Sequence, residues 1–284
     1  VTASLRRVAL PALLFAAAGV YLSAGAGVAD IEGEVAGEFL VERLEISGAR
    51  GIGPTALASL LATHEGGASS SELLEDDLAR IVSRYREEGY LDAEISVRVE
   101  EGSRGGAAVK IRVDEGPRYR VGRVSIVGLV SLDPEKVGSS LDTRYGQIFR
   151  PRLLEEDIEQ LLTRYDEIGH PFARVDPGPF ASTEEGLIDI TLSVDEGPRV
   201  HIQDIRVEGN EITQRETVAR AFGLPPPQLY SRGRIEQGKR RLRSLALLPE
   251  APVVEIDLDE NSRGLLRVRM VEGPTNSVTG VIGY

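Results

Sequence analysis

Two acidic pairs are the first residues in this chain that could do chemistry. They are Asp114–Glu115 in "VDEGPR" and Asp195–Glu196 in the same string 81 residues later. Paired carboxylates serve as general acid and base when they face one cleft with separated pKa values. They bind Ca²⁺ when about six to eight oxygens converge. The pattern meets neither need, because each pair stands alone and the third copy, "VEGP" at 271–274, has Val271 in place of the Asp. His64, His170 and His201 are scattered and follow no ligand spacing, and His170 stands where the preceding repeat has Tyr90, a packing position. "SGARGIGP" (47–54) is rich in glycine but lacks the Lys-Ser/Thr of a phosphate loop. Without cysteine there is no disulfide and no thiolate metal site. We expect no enzyme, no cofactor and no metal site, so binding is the chemistry left.

One basic cluster stands out. "GKRRLRSL" (238–245) carries Lys239, Arg240, Arg241 and Arg243 on a helical stretch. It reads either as a solvated helix face or as a contact for a protein or an anionic surface. The formal charge of −12 excludes wholesale nucleic-acid binding, which needs a basic footprint.

The acidic string is punctuation in a larger repeat. It returns after 81 and then 76 residues. "SRYREEGY" (83–90) matches "TRYDEIGH" (163–170), "LLEDDL" (73–78) matches "LLEEDI" (153–158), and "EISG", "SIVG" and "RVEG" end at Gly48, Gly128 and Gly209. The same order of landmarks divides the chain into units at 39–117, 118–198 and 199–274. At about 80 residues each is a small domain, too long for a solenoid repeat.

Each unit opens with a strand whose inward pair is Leu44/Ile46, Val124/Ile126 or Ile205/Val207. Short helices follow at 54–62, 133–141 and 213–222, with Pro54 and Pro134 at an early-helix position. A longer helix comes next. Leu74, Leu78, Ile81, Val82 and Tyr85 make an amphipathic stripe, repeated by Leu154, Ile158, Leu161, Leu162 and Tyr165. Ser70 or Ser71 can cap the first, and Gly89 and Gly169 can end the pair in the left-handed conformation. Two strands complete each unit, the last with inward Val109/Ile111/Val113, Ile190/Leu192/Val194 and Leu266/Val268/Met270. The expected fold is α+β: tandem β-α-α-β-β domains, each a three-stranded mixed sheet with two helices on one face.

Arg6 and Arg7, an apolar run and the small residues "AGA" and "GVA" have the parts of a secretory signal peptide over residues 1–29, cleaved after Ala26 or Ala29. A retained anchor is the other reading, since Val8 to Ala29 is 22 residues. Losing Arg6 and Arg7 takes the charge from −12 to −14. Both readings export the rest of the chain.

The element order, with "YREEGY" before the second strand and "DEGPRY" after the third, resembles the POTRA domain. The tail "VEGPTNSVTGVIGY" resembles the stretch leading into the first barrel strand in the outer-membrane protein assembly family, the surface-antigen or BamA–TamA type. A count of three units is most similar to the TamA-type translocation and assembly module. The third unit departs from the pattern, with "ALLPEAPVVEI" in place of the Gly-Tyr helix end, and the ten residues 275–284 supply only the start of a barrel strand. The resemblance implies a periplasmic array at the outer membrane of a Gram-negative cell. Such an array binds unfolded outer-membrane proteins, or a periplasmic or inner-membrane accessory subunit, and passes clients to a membrane barrel. A self-contained periplasmic scaffold and an exported hydrolase using the acidic pairs are the alternatives. The basic cluster would then meet an accessory protein, the barrel rim or lipid headgroups.

By the same resemblance the partner-binding edge is the second strand: 91–99, 172–180 and 252–260. Strand addition uses main-chain hydrogen bonds that are largely blind to sequence. Pro177 and Pro179 remove donors from unit two. Partners are therefore expected at Ile95, Val97 and Val99 of unit one and at Val254, Ile256 and Leu258 of unit three. Gly116–Pro117, Gly197–Pro198 and Gly273–Pro274 read as inter-domain hinges with little slack.

Overall fold

The computed structural model describes residues 37–102, 105–178, 186–223, 227–244, 248, 250–259 and 263–273, and two short strands before them, β1 (Thr2–Ser4) and β2 (Asp30–Glu32). The remainder of 1–29, Pro274 and the whole of 275–284 lie outside the described residues.

Three units follow, and the hydrophobic patterning accounts for each. Unit one runs β3 (Phe39–Ser47), α1 (Pro54–Ala58), β4 (Ala68–Ser69), α2 (Ser71–Glu87), β5 (Glu94–Glu101) and β6 (Ala107–Asp114). Unit two runs β7 (Arg120–Val127), α3 (Pro134–Ser140), α4 (Pro151–Glu167), β8 (Arg174–Pro177) and β9 (Leu187–Asp195). Unit three runs β10 (His201–Glu208), α5 (Arg215–Ala221), β11 (Gln228–Leu229), α6 (Arg232–Ser244), β12 (Val253–Leu258) and β13 (Arg263–Arg269). In every unit the last strand is central. It is parallel to the first strand and antiparallel to the second, as in β3–β6–β5, β7–β9–β8 and β10–β13–β12. The sheets are mixed, and the short strands β4 and β11 extend two of them.

Each sheet buries one face under its helices. Tyr85, Ile81 and Leu78 of α2 pack with Val97, Val109 and Ile111, and Tyr165, Ile158 and Leu161 of α4 with Val175, Ile190 and Leu192. Ser70 caps α2 by accepting the Leu73 N–H at 3.2 Å. Gly89 (φ 88°) and Gly169 (φ 98°) end the long helices in the left-handed region.

The first helices are shorter than their patterns. α1 stops at Ala58 rather than continuing to 62. The cause is Asp77, fully buried on α2, whose carboxylate accepts the Ala62 and Thr63 N–H groups at 2.8 and 2.9 Å and draws the chain out of the helix. Asp157 does the same to Asp142 and Thr143 at 2.7 and 2.8 Å. Unit three has Gly238 at that place, where a Cβ would lie 2.1 Å from the Phe222 ring. The second strands also begin later than their strings suggest, because Leu91 joins the core of unit two and Phe172 packs against the core of unit three.

Candidate binding edges and interdomain joints

The acidic string resolves into a separate task for each residue. Asp114 and Asp195 accept the N–H two residues on, from Gly116 at 3.4 Å and Gly197 at 3.1 Å, and so bend the chain. The glutamate reaches back into its own unit. Glu115 accepts the Arg50 and Gly51 N–H groups, both at 2.7 Å, and the Tyr85 hydroxyl at 2.9 Å. Glu196 accepts Val130 N–H (2.7 Å), Ser131 N–H (2.8 Å), the Ser131 hydroxyl (2.5 Å) and the Tyr165 hydroxyl (2.9 Å). Glu272 accepts the N–H groups of Glu211, Ile212 and Thr213. The turn after the first strand is thereby fastened to the end of the last. Val271 can replace Asp because the clamp needs only the Glu.

Burial pushes the Glu196 carboxyl up, but its Ser131, Val130 and Tyr165 donors outweigh that and hold it at about 2, below the ordinary 4.5. A depressed carboxyl adds stability above its ordinary value that is lost as pH falls through the folded one. Glu196→Gln should therefore destabilise unit two by about 1–2 kcal/mol near neutrality. In thermal melts its gap from the parent should narrow between pH 4.5 and 2. A gap constant over that range would mean that the charge on Glu196 adds nothing.

The joints are built from the helix ends. Tyr119 N–H donates to Gly89 O at 2.8 Å, the Arg118 guanidinium holds the Glu88 carbonyl and carboxylate, each at 2.8 Å, and the Tyr119 hydroxyl donates to Asp92 at 2.5 Å. Burial, then Asp92, raises the Tyr119 phenol to about 12. At the second joint Val200 N–H donates to Gly169 O at 2.7 Å, and Glu167 accepts the Ser231 hydroxyl and Gly233 N–H, at 2.7 and 2.8 Å, at the start of α6. His170, 6% exposed, points Nδ1 at the carbonyls of Glu196 and Gly197, 3.1 and 3.2 Å away. Carbonyls only accept, so the proton is on Nδ1. Gly116 (φ 62°) and Gly197 (φ 59°) lie at these joints with Pro117 and Pro198. Gly273 is described, and Pro274 is not.

The edge strands separate by an argument from register. Antiparallel pairs alternate between hydrogen-bonded and not. Gly102 N–H donates to Gly106 O, so the alternate residues of β5, Ile95, Val97 and Val99, turn their main-chain groups away from β6. Asp259 N–H donates to Arg263 O, which turns Val254, Ile256 and Leu258 outward on β12. Gly178 N–H donates to Thr191 O, leaving Val175 and Pro177 outward on β8. The side chains of Val97 and Ile256, each 1% exposed, belong to the cores, so only the main chain of these residues is offered to a partner. Pro177 occupies the place of Val97 and Val254, opposite Leu192, Ile111 and Val268 respectively, and has no N–H to offer. Two edges already carry a strand of this same chain. β2 pairs parallel with β5 through Ile31↔Val97, and β1 pairs antiparallel with β12 through Ala3↔Ile256. Among the described residues no strand lies outside β8.

Comparison with known proteins decides the family. The model for POTRA, described as "Surface antigen variable number repeat", matches residues 39–116, 119–197 and 200–262. The chain belongs to the POTRA family. It is 25% identical over 264 residues to the outer membrane protein assembly factor BamA of Nitratidesulfovibrio vulgaris, covering 88% of this chain and 33% of that protein. To BamA of Neorickettsia risticii it is 28% identical over 218 residues, covering 76% of this chain and 29% of that protein. The chain thus spans about a third of the length of the curated relatives it matches. The crystal structure of POTRA domains 3–5 of Haemophilus influenzae BamA has the same fold, with a TM-score of 0.60 at 21% identity, covering 84% of this chain and all of that one. These relatives are BamA-type assembly factors. The resemblance to the TamA type rests on the count of POTRA units alone.

Of the basic residues on the third POTRA unit, Lys239 pairs with Glu236 at 2.8 Å and Arg241 donates to Ala221 O at 3.2 Å. Arg240 and Arg243 are exposed and have no carboxylate partner among the described residues. None of those residues groups into a metal site, and no described helix is long and apolar enough to cross a membrane. Sequence reasoning missed Asp77 and Asp157. The repeated "LLEDDL" and "LLEEDI" marked them, but an acidic residue on a helix reads as solvated until its buried partners are seen.

Proposed function

We propose that this chain is the periplasmic POTRA region of a BamA-like outer-membrane assembly or translocation protein, exported by a signal peptide at 1–29, with units at 39–117, 118–198 and 199–274. It receives unfolded outer-membrane clients or accessory subunits by strand addition and passes them to a membrane barrel. The observation that supports this most is the contrast among edges. β5 and β12 offer outward N–H groups at every alternate residue, and β5 takes a short strand of the same chain, β2, in parallel register. Main-chain pairing of that kind accepts many clients, since it does not depend on their side chains. The joints, each held by the preceding helix end, make the array a semi-rigid rod. The basic face of α6, with Arg240 and Arg243 outward, meets an accessory protein, the barrel rim or anionic headgroups.

Photo-crosslinking probes along 95–99, 172–180 and 253–258 test the reading. Capture of an unfolded client is expected from units one and three, and stronger capture along 172–180 would overturn it. Pro177→Val supplies the missing donor and should raise capture by unit two several-fold.

A further inference from the structure

We infer that the groove between β7 and α3 in the second POTRA unit is a separate peptide-binding cleft, and that it takes an extended segment of a partner protein bearing a carboxylate. The groove encloses about 750 Å³ and is lined by apolar Val124, Ile126 and Leu141, by the basic Arg123 and Arg144, and by one acid, Asp189. It lies along the first strand, across the sheet from the edge β8.

The internal repeat shows what is missing from it. In unit one the chain fills the equivalent position itself. Glu65 reaches back and accepts the Leu44 N–H at 3.0 Å, just past the bulge in β3. Val124 follows the same bulge in β7, but the residue in Glu65's place is Tyr145, 77% exposed, and among the described residues no side chain takes the Val124 N–H. Unit two therefore keeps the cleft and lacks the counterpart of Glu65; its own carboxylate in the groove, Asp189, is taken by the neighbouring Arg123 N–H at 2.6 Å. The charge around it fits that vacancy. Arg43 is paired with Glu45 in unit one, whereas among the described residues neither the Arg123 nor the Arg144 guanidinium has a carboxylate partner. Thr143 also lines the groove. It is 3% exposed and its hydroxyl has no partner, because Phe149 replaces the Ser69 that bonds Thr63 in unit one. An extended segment along β7 would lay its apolar side chains on Val124 and Ile126 and place a Glu or Asp where Glu65 sits in unit one.

The probe is a fluorescein-labelled octapeptide alternating valine and glutamate, compared with the same peptide carrying glutamine, in anisotropy titrations of the whole chain. Strand addition at β5 or β12 does not distinguish the two, so binding common to both reports those edges, and only an excess for the glutamate peptide reports the cleft. The net charge of −12 opposes any general attraction of the acidic peptide. We expect the glutamate peptide to bind about tenfold more tightly. Tyr145→Glu gives unit two the internal carboxylate of unit one, at an exposed position that tolerates it, and should abolish the preference, with thermal melts showing the unit folded. Equal binding of the two peptides by the parent chain, or a preference that survives in Tyr145→Glu, would overturn the inference.

Discussion

Gly128→Ala is expected to destabilise the second POTRA unit by about 3 kcal/mol or more, although it adds only a single methyl. Gly128 has φ 88°, and a Cβ there would lie 2.1 Å from the Val194 carbonyl oxygen. That oxygen is main chain of the central strand and cannot swing aside. The left-handed conformation alone costs about 1–2 kcal/mol for a residue with a Cβ, and displacing β9 adds to it. Gly146→Ala is the control, since Gly146 has φ 79° with nothing within 4 Å of the new atom. It should cost about 1 kcal/mol from backbone strain only. Chemical denaturation of both variants measures the difference, and equal losses would show that the approach to Val194 is unimportant. The same geometry recurs at Gly48 and Gly209, each 2.0 Å from the oxygens of Val113 and Met270. This close approach is why "EISG", "SIVG" and "RVEG" all end in glycine.

The second large effect is on binding. Val97→Pro combined with Val254→Pro should weaken capture of an extended client by at least tenfold. Both positions turn their main chain outward, so the substitution removes a donor to the client and no bond to the central strand. Proline at this place is compatible with the fold, since Pro177 occupies it in β8 and still pairs with Leu192. Unchanged capture, with melting curves showing folded units, would remove β5 and β12 from the mechanism. The restored donor in Pro177→Val is the reciprocal arm.

Much of this was legible in the residues. Helix and strand periods placed the stripes of α2, α4 and the central strands, because a side chain's face follows from its position along a regular element. Pro177 marked the edge of unit two as lacking a donor, because a missing N–H is a covalent fact. Repetition separated punctuation from catalysis, since a residue that changes from Asp195 to Val271 cannot be the one that reacts.

Other features depend on atoms far apart in the chain. The string "DEGP" reads as a hinge, and its glutamate belongs instead to a clamp inside the unit, since Glu196 meets Val130 and Ser131 across 66 and 65 residues. Asp77 and Asp157 look solvated until the loops they hold are folded over them. Leu91 and Phe172 carry the pattern of a strand in their own units and are spent in the cores of the next. Which main-chain groups of β5, β8 and β12 face outward follows from register, which a single hydrogen bond in each hairpin sets. The sequence by itself determined the units, their elements and the absence of a donor at Pro177, because these depend on local periodicity and covalent structure. Only the tertiary structure decided the clamps, the shared joints and the cleft beside β7, because each arises where residues 21 to 66 positions apart meet.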